Sequence, residues 1–339
     1  SSKDRNKCLE KLKQLRAEVE SGRIAATGST TVAAWMDRWL EEIQKPKLRP
    51  KSYRDYRITI DKHITPHVGD KKLLKLTPDH VRQMHQAIES DRQAQKAHVI
   101  LQAALSAAVK EGVLPRNVAQ IAERPRYTPG RRQPLTADEA KLLIKWCADH
   151  PEDPMSTRWA AAILLGARQG ELLGLRWSHV DLENGFVDLE WQLQQLRQDH
   201  GCGERHSDGT WPCGRTRPGW CPQRKWDFPR GFEHHVLHRS LVLTRPKTSA
   251  GTRVVPIPAP LLALMQQTRR IPSPHGLVWC DHAGRPINPR DDHRRWKELL
   301  AELGLPEAPL HVARHTTATL LMQAGVSEQV RMKILGHVS

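Results

Sequence analysis

The sequence predicts a multidomain, mainly helical protein in which an all-α domain is followed by a mixed α/β domain. Helical periodicity with almost no strand signal runs through residues 31–122. A stretch rich in arginine and proline follows, and β-rich runs alternate with helical segments after it. A chain of 339 residues is long enough for two or three domains, each with a core of its own.

The first predicted domain, residues 30–122, consists of four amphipathic segments separated by short turns such as HVGD and EGVLPRN. Lys51 and Arg54 lie at the start of the second segment, as expected of a helix that faces DNA. A solvated charged face is the commoner explanation for such a cluster. The predicted helices are Val32–Ile43, Ser52–Ile64, Pro78–Glu89 and Ala94–Glu111.

A basic linker at residues 123–134 is predicted to join the two domains. It contains four arginines, among them Arg131 and Arg132, and three prolines. Proline stiffens a linker, and arginine binds phosphate, so this segment suits a protein that closes around a duplex. The alternative is an ordinary exposed linker. At the other end of the first domain, residues 1–29 are predicted as one helix and a linker.

The second predicted domain, residues 135–339, mixes helices and strands. Its first helix has the pattern of a capping box, with Thr136 at the cap and Glu139 three residues later. The last third of the chain is again helical in pattern. Helices are predicted at Thr136–Asp149 and Thr157–Leu165, and strands at Gly185–Trp191, Val236–Thr244 and Arg253–Ile257.

The charge balance predicts a polyanionic partner. The chain has 53 Lys and Arg against 37 Asp and Glu, a net charge of +16. Nucleic acid is the first expectation and an acidic membrane the second, although a generally basic soluble enzyme stays open. The sequence has no apolar run of membrane-span length and no apolar signal-peptide core, which predicts a cytoplasmic, nucleoid-associated protein.

Four basic elements of the second domain need a common explanation. Arg168 and Glu171 lie in GARQGELLGLRW, and Lys247 lies in PKTSAGT between two β-rich runs, which predicts a hairpin loop. Taken singly, each residue is most often an ordinary surface or ion-paired residue. The other two elements are HVARH and LGH, near the end of the sequence.

His311, Arg314 and His315 are spaced so that they share one helical face. A zinc site at the two histidines is the weaker interpretation, because Arg314 between them would repel a cation. Ser327 and Gly336 are predicted to cap and end the last helix, which places His337 just past that helix.

A phosphodiester under nucleophilic attack suits this set of side chains. Arginine and histidine bind the oxygens that gain negative charge, and lysine can protonate the leaving oxygen. The sequence shows neither a carboxylate cluster for two metals nor a Gly-rich Walker loop. Phosphoryl transfer without a catalytic cofactor is therefore expected.

These four motifs, in this order, resemble those of the tyrosine recombinase (phage integrase) family. ARQGELLGLRW is similar to its first arginine box, TRPKTSAGTRVVPIP to its lysine-bearing β-hairpin, HVARHTTATLL to its His-x-x-Arg-His box, and LGH to its last histidine. Residues 30–122 resemble the family's SAM-like core-binding domain, and residues 1–29 resemble the end of an arm-binding domain.

The resemblance implies a site-specific DNA recombinase that integrates and excises a mobile element. A tyrosine would attack the scissile phosphate and form a 3′-phosphotyrosyl intermediate. Arg168, Arg314, His311 and His337 would hold that phosphate, Lys247 would be the general acid, and Glu171 and His315 would support them. The implied partners are double-stranded DNA attachment sites, a homotetramer on that DNA, and a directionality factor or a host DNA-bending protein.

Two departures from the family pattern stand out. Val312 and Ala313 replace the commoner Asp-Leu, a change of packing. The nucleophile is the larger departure, because Tyr53, Tyr56 and Tyr127 all precede the second domain. The chain as given is therefore expected to bind DNA without cleaving it. A tyrosine codon roughly ten residues beyond His337 would restore the enzyme.

Two other functions stay open at this point. A type IB topoisomerase uses the same chemistry as a monomer, and it would relax plasmid DNA without joining two specific duplexes. A recombinase-derived DNA-binding protein without a catalytic tyrosine would form no covalent adduct with DNA.

A Cys/His-rich insertion at about residues 196–238 lacks hydrophobic periodicity, so a cross-link such as a structural metal is expected to stabilise it. Cys202, Cys213 and Cys221, together with His206 or with His200, predict a structural zinc ion of the Cys₃His type. The spacing fits no standard finger, and the alternative is a flexible basic loop with free thiols. Eight Lys and Arg against five Asp and Glu in residues 196–240 make an extra DNA or subunit contact plausible.

Overall fold

The computed structural model describes residues 29–130, 133–247, 251–267 and 270–336. These residues form two compact units, one holding residues 29–130 with the short stretch 228–231, and the other holding the rest. None of the helices in these ranges is long and apolar enough to cross a bilayer. The helix predicted near the N-terminus lies outside the described residues, as do Arg131, Arg132 and His337.

Threonine side chains cap two helices of the first unit. The Thr31 hydroxyl accepts a hydrogen bond from the Ala34 amide at 3.2 Å, and Thr77 caps its helix through His80. Two helices widen into π-helical turns at Trp39–Gln44 and Ile60–Ile64. The α-helices are α1 (Val32–Arg38), α2 (Pro50–Thr59), α3 (Thr65–Val68), α4 (Pro78–Gln86), α5 (Asp91–Lys110) and α6 (Val118–Ile121), with a 3₁₀ turn at Leu73–Lys75.

Helix α5 is the centre of the first core. Its alanines at positions 97, 104 and 108 are fully buried and let other helices approach closely. The indole N–H of the buried Trp35 donates to the Ala104 carbonyl at 2.9 Å, so this polar group is satisfied within the core. His98 is buried on the same helix and lies 3.1 Å from His85 through ring nitrogens. Burial, with the charges of His85 and Arg124, lowers the pKa of His98 to about 4.

The second unit begins with the capping box that the sequence predicts. The Glu139 amide donates to the Thr136 hydroxyl, and the Thr136 amide donates to the Glu139 carboxylate at 2.7 Å, so this prediction is confirmed. Its α-helices are α7 (Ala137–Asp149), α8 (Ser156–Leu164), α9 (Gln169–Leu173), α10 (Ala259–Gln267), α11 (Pro289–Glu302), α12 (His311–Gln323) and α13 (Glu328–Leu335), with 3₁₀ turns at Trp177–His179 and Pro218–Trp220.

Two antiparallel three-stranded sheets complete the second unit. One has the order β1-β2-β6 and the other β3-β5-β4. The strands are β1 (Val180–Asp181), β2 (Phe186–Leu189), β3 (Gln192–Gln195), β4 (His234–His238), β5 (Leu241–Thr244) and β6 (Arg253–Pro256).

Two strand predictions need correction. The single strand predicted at Val236–Thr244 is a β4–β5 hairpin, which turns at Arg239 (φ 51°) and Ser240. The hairpin predicted around Lys247 is also wrong, because β5 and β6 belong to different sheets. Strand β5 is central and pairs with β3 and β4 on its two sides, while β6 pairs with β2.

A buried ion pair ties the helical part of the second unit together. Arg158 of α8 donates to Asp292 of α11 at 2.9 Å, and both side chains are fully buried. Gln169, the first residue of α9, also donates to Asp292, at 2.8 Å. Trp159 and Trp296 pack beside this pair, with ring centroids 5.8 Å apart. The network connects three helices next to Arg168.

Candidate active site

Arg168 lies at the turn between the apolar helix α8 and the short helix α9. Gly166, two residues earlier, has φ +58°, the left-handed conformation that glycine adopts without strain. The Arg168 amide donates to Glu171 Oε2 at 2.8 Å, and Arg168 Nη1 donates to Glu171 Oε1 at 2.6 Å. One carboxylate therefore fixes both the backbone and the guanidinium of Arg168.

Glu171 is fully buried and also accepts hydrogen bonds from Arg253, with Nη2 to Oε2 at 3.0 Å. Burial alone would raise the pKa of Glu171, but Arg253 and Arg168 together hold it below its ordinary value. The carboxylate is thus ionised between two arginines. The sequence analysis missed Arg253. An available signal is that a charged residue opens an otherwise apolar strand, RVVP.

Arg314 of helix α12 is buried beside the same turn. Its Nη1 donates to the Gly166 carbonyl at 2.9 Å, and its Nη2 donates to the Leu335 carbonyl. Burial, together with the charges of Arg168 and Arg253, lowers the pKa of Arg314 to about 10. The guanidinium therefore still carries its charge at neutral pH.

The C-terminal end of helix α13 accepts hydrogen bonds from all three arginines. Arg253 Nε donates to the carbonyl of Ile334 at 2.7 Å, Arg314 donates to that of Leu335, and Arg168 Nη2 donates to that of Gly336 at 3.1 Å. Cations are favourable at this end of a helix, where carbonyls lack helical partners. Gly336 ends the helix in the left-handed conformation, as predicted, and directly precedes His337.

Arg168, His311 and Arg314 line one cavity of about 260 Å³. Each guanidinium has five N–H donors, and the described contacts of Arg168 and Arg314 use two on each side chain. Three arginines against Glu171 give this cluster an excess of two positive charges, and two of the three, Arg168 and Arg314, line the cavity. The arrangement can bind a phosphate group through several charge-assisted hydrogen bonds.

The two histidines of helix α12 are exposed, whereas Arg314 between them is buried. His311 is the first residue of the helix, and its ring lies 4.8 Å from that of His315 in an edge-on arrangement. His311 reaches the cavity, while His315 is one turn further along the helix. His315 can therefore orient the His311 ring.

Among the described residues, Lys247 is not one of those that line this cavity. Lys247 is exposed after strand β5. Lys51 and Arg54 belong to helix α2 of the first unit, where Lys51 is exposed and Arg54 is partly buried.

The predicted cysteines of the insertion lie together, but with a different histidine. Ligand atoms of His200, Cys202, Cys213 and Cys221 lie within 4.8 Å of one another. His206, the histidine first assigned to this group, is exposed at a turn closed by its own bonds to Thr210 and Gly209. His200, the alternative, is the member of the cluster, because its ring is buried and its Nδ1 lies 3.5 Å from Cys213 Sγ and 3.8 Å from Cys202 Sγ.

A helical domain followed by a mainly helical α/β domain with an arginine-lined cavity is the architecture of a site-specific recombinase. Residues 31–88 match the phage integrase N-terminal SAM-like domain, and residues 233–339 match the phage integrase family. The chain is 30% identical to an integrase of Saccharopolyspora erythraea, over 99% of this chain and 83% of that one. The chain belongs to the phage integrase family of tyrosine recombinases, and it is a site-specific recombinase.

Solved structures of other integrases have the same fold. The Tn1549 transposon integrase in complex with a circular intermediate DNA matches with a TM-score of 0.68 at 15% identity, over 92% of this chain and 93% of that one. A lambda integrase tetramer bound to a Holliday junction matches with a TM-score of 0.65 at 17% identity, over 100% of this chain and 89% of that one. At such identities, the likeness shows the fold.

Proposed function

We propose that this recombinase breaks and rejoins duplex DNA at the attachment sites of a mobile element, with Arg168 and Arg314 holding the scissile phosphate. The supporting observation is the cavity that both guanidiniums line together with His311. A phosphodiester gains negative charge on its non-bridging oxygens when it is attacked, and fixed positive donors stabilise that charge. The excess of two positive charges favours an anionic phosphodiester over a neutral substrate.

The remaining roles follow from family resemblance and from chemistry. His311 and His337 donate hydrogen bonds to the phosphate, and Lys247 protonates the departing 5′ oxygen as general acid. The exposed position of Lys247 after β5 leaves its side chain accessible to bound DNA. Glu171 and His315 position Arg168 and His311. The mechanism needs no catalytic metal or cofactor.

The nucleophile in this family is a tyrosine that follows the last histidine by about one short helix. Tyr53 and Tyr56 are poor candidates for that role. The Tyr53 hydroxyl donates to Glu41, and burial together with this carboxylate raises the pKa of Tyr53, which disfavours its phenolate. Tyr56 stacks on Trp39 in the helical unit. Attack by a tyrosine conserves the energy of the cleaved bond in the 3′-phosphotyrosyl link, so rejoining needs no ATP.

The proposed partners are two duplex attachment sites and three further copies of this chain. Related integrases have been solved with a circular intermediate DNA and as a tetramer on a Holliday junction, which supports this assembly. A directionality factor or a host DNA-bending protein would set the direction of the reaction. Such a reaction takes place in the bacterial cytoplasm, at the nucleoid. DNA phosphates would be contacted by Lys51, Arg54, Arg131 and Arg132.

The test is covalent capture with the full-length gene product. A nicked suicide substrate that carries the element's attachment site should yield a covalent protein–DNA adduct visible on a denaturing gel. Arg314→Ala should lower the adduct yield roughly 10²–10³-fold, the usual effect of removing one fixed transition-state donor.

Arg294→Ala is the matched control, because Arg294 is an exposed arginine of α11 paired with Glu298. It should form adduct at the wild-type rate. Wild-type protein that binds the site but forms no adduct, or equal yields from the two arginine variants, would contradict the proposal. A second assay with supercoiled plasmid and two attachment-site duplexes distinguishes a topoisomerase, which would relax the plasmid without joining the two sites.

A further inference from the structure

The insertion between β3 and β4 has no conventional hydrophobic core, yet it holds two buried side chains at one point. Cys221 is fully buried and His200 is 6% exposed, although glycine, proline and arginine dominate the surrounding sequence. Cys202 and Cys213 are partly buried beside them. Burial of these side chains in a segment dominated by glycine, proline and arginine indicates that a further interaction holds the insertion together.

We propose that His200, Cys202, Cys213 and Cys221 bind one structural zinc ion. The site is separate from the arginine-lined cavity, and it is independent of the recombinase chemistry. Thiolate and imidazole are the ligands that zinc prefers in tetrahedral structural sites. Four protein ligands fill the coordination sphere and leave no position for water or substrate, so the ion's role is to stabilise the fold.

The spacing of the ligand atoms fits a tetrahedral ion. His200 Nδ1 lies 3.5 Å from Cys213 Sγ and 3.8 Å from Cys202 Sγ. Zinc bonds of about 2.3 Å to sulfur and about 2.0–2.1 Å to nitrogen, at the tetrahedral angle, separate the two ligand atoms by about 3.6 Å. The two measured distances lie on either side of that value, so an ion could enter with little rearrangement.

The surroundings of the buried His200 ring favour a bound cation. Buried polar atoms normally have a hydrogen-bond partner. In the described structure the Nδ1 of the buried His200 ring has two cysteine sulfurs as its neighbours, which are weak hydrogen-bond partners but good zinc ligands as thiolates. Trp211 stacks on the ring with a centroid distance of 4.1 Å and an interplanar angle of 10°. The ring plane is therefore fixed, and a cation bound at Nδ1 would offset the cost of burying the imidazole.

The backbone around the cluster brings its cysteine-bearing segments close together. Asp199 and Lys225 exchange two backbone hydrogen bonds, of 2.8 and 2.9 Å, and so join the two ends of the cysteine-bearing segment. Between them the chains approach so closely that a Cβ on Gly201 would lie 2.0 Å from the Gln223 carbonyl oxygen. A side chain at position 201 would separate Cys202 from Cys221. Glycine at this position thus serves the geometry of the cluster.

Metal analysis of the full chain, expressed without a histidine tag, tests the site. Wild-type protein should contain about one zinc ion per chain. Reconstitution with Co²⁺ should give a thiolate-to-metal charge-transfer band and the intense visible bands of a tetrahedral site. This spectrum requires no variant, so it remains informative even if ligand substitutions prevent folding.

His200→Ala and His206→Ala form a matched pair within the same insertion. His200→Ala should lose most of the zinc and become sensitive to limited proteolysis within residues 196–233, whereas His206→Ala should retain both zinc and resistance. Circular dichroism checks that each variant is folded. Wild-type protein without zinc after refolding with excess Zn²⁺, an octahedral cobalt spectrum, or equal zinc content in both variants would overturn the site.

Discussion

At the scale of single residues, Glu171 is the most informative position, because one buried carboxylate joins two arginines. Glu171→Gln keeps the shape and removes the charge that compensates Arg168 and Arg253. Breaking a buried ion pair from one side typically costs about 3–5 kcal/mol. We expect a loss of that order in the free energy of unfolding, measured by urea denaturation, together with loss of the covalent adduct.

Glu190→Gln is the matched control for this change. Glu190 pairs with Arg245 in a half-exposed setting, and Arg245 also pairs with Glu233. Such exposed pairs contribute about 0–1 kcal/mol. Equal destabilisation by the two substitutions would contradict a special contribution of the Glu171 ion pairs to stability. Because the pKa of Glu171 is lowered on folding, its stabilisation is present above its unfolded value of 4.5 and is lost as the pH falls through the folded value.

His98 gives a pH dependence in the milder acid range. Its pKa falls from 6.5 in the unfolded chain to about 4 in the fold, so protons bind the unfolded state preferentially between these values. Stability should therefore decrease as the pH falls below 6.5, by about 2 kcal/mol on reaching pH 5. In His98→Leu this part of the dependence should disappear, as measured by urea unfolding of the full chain at pH 7 and pH 5. An unchanged difference between the two pH values would contradict this origin.

Sequence reasoning predicted some of these residues and missed others for physical reasons. Arg168 and Arg314 lie in ordered motifs whose chemistry converges on one phosphate, and the structure brings both to one cavity. Arg253 was missed because its role depends on Glu171, which is 82 residues away in sequence. The choice between His200 and His206 also depends on chain folding, which spacing alone does not determine.

At the scale of secondary-structure elements, the turn between α8 and α9 is the tightest point of the site. A Cβ on Gly166 would lie 2.7 Å from Leu335 Cδ2 and 2.8 Å from Thr317 Cγ2, in addition to the strain at φ +58°. Gly166→Ala should therefore push α12 and α13 away from the turn. We expect a loss of about 3 kcal/mol in the free energy of unfolding, from backbone strain and overpacking together.

Gly304→Ala separates these two contributions. Gly304 has a similar φ of +65°, but a Cβ there would meet no atom within 4 Å. The free energy of unfolding of Gly304→Ala should fall by only about 1 kcal/mol, the cost of the left-handed backbone conformation for alanine. If urea denaturation gives the same loss for both variants, close packing of α13 against the turn does not contribute.

Helices were easier to predict than strand pairing. Helical periodicity and caps are local, so the pattern at Thr136 and Glu139 was sufficient to place the start of α7. Strand partners are set by contacts distant in sequence, and β5 pairs with β3 across nearly fifty residues. The hairpin turn at Arg239 was not predicted from the sequence, for a different reason. A non-glycine residue with positive φ carries no glycine signal for a hairpin.

At the scale of the whole molecule, the net charge of +16 predicts how DNA binding responds to salt. If the protein contacts 6–10 phosphates, raising the salt concentration from 50 to 200 mM would lower its DNA affinity roughly 10³–10⁵-fold. Lys51→Ala should reduce the slope of log affinity against log salt by about one, measured by fluorescence anisotropy with attachment-site DNA.

Lys145→Ala is the control for this measurement. Lys145 is an exposed lysine of α7 that pairs with Asp149, and its removal changes the net charge of the protein by the same amount. Its slope should equal that of the wild type. Identical changes in the two variants would mean that overall charge, and not a phosphate contact at Lys51, determines the salt response. Composition alone predicted the sign of this response, whereas the contact residues require a complex with DNA.

Two of the arginines that bind the end of α13 also line the cavity, so they connect this helix end to whatever the cavity holds. Arg168 and Arg314 each use part of one rigid guanidinium to hold a carbonyl of the last helical turn and the rest to face the cavity. An anion that draws either guanidinium inward also pulls on the carbonyl bonded to it. The position of the helix end and the occupancy of the cavity are therefore mechanically coupled.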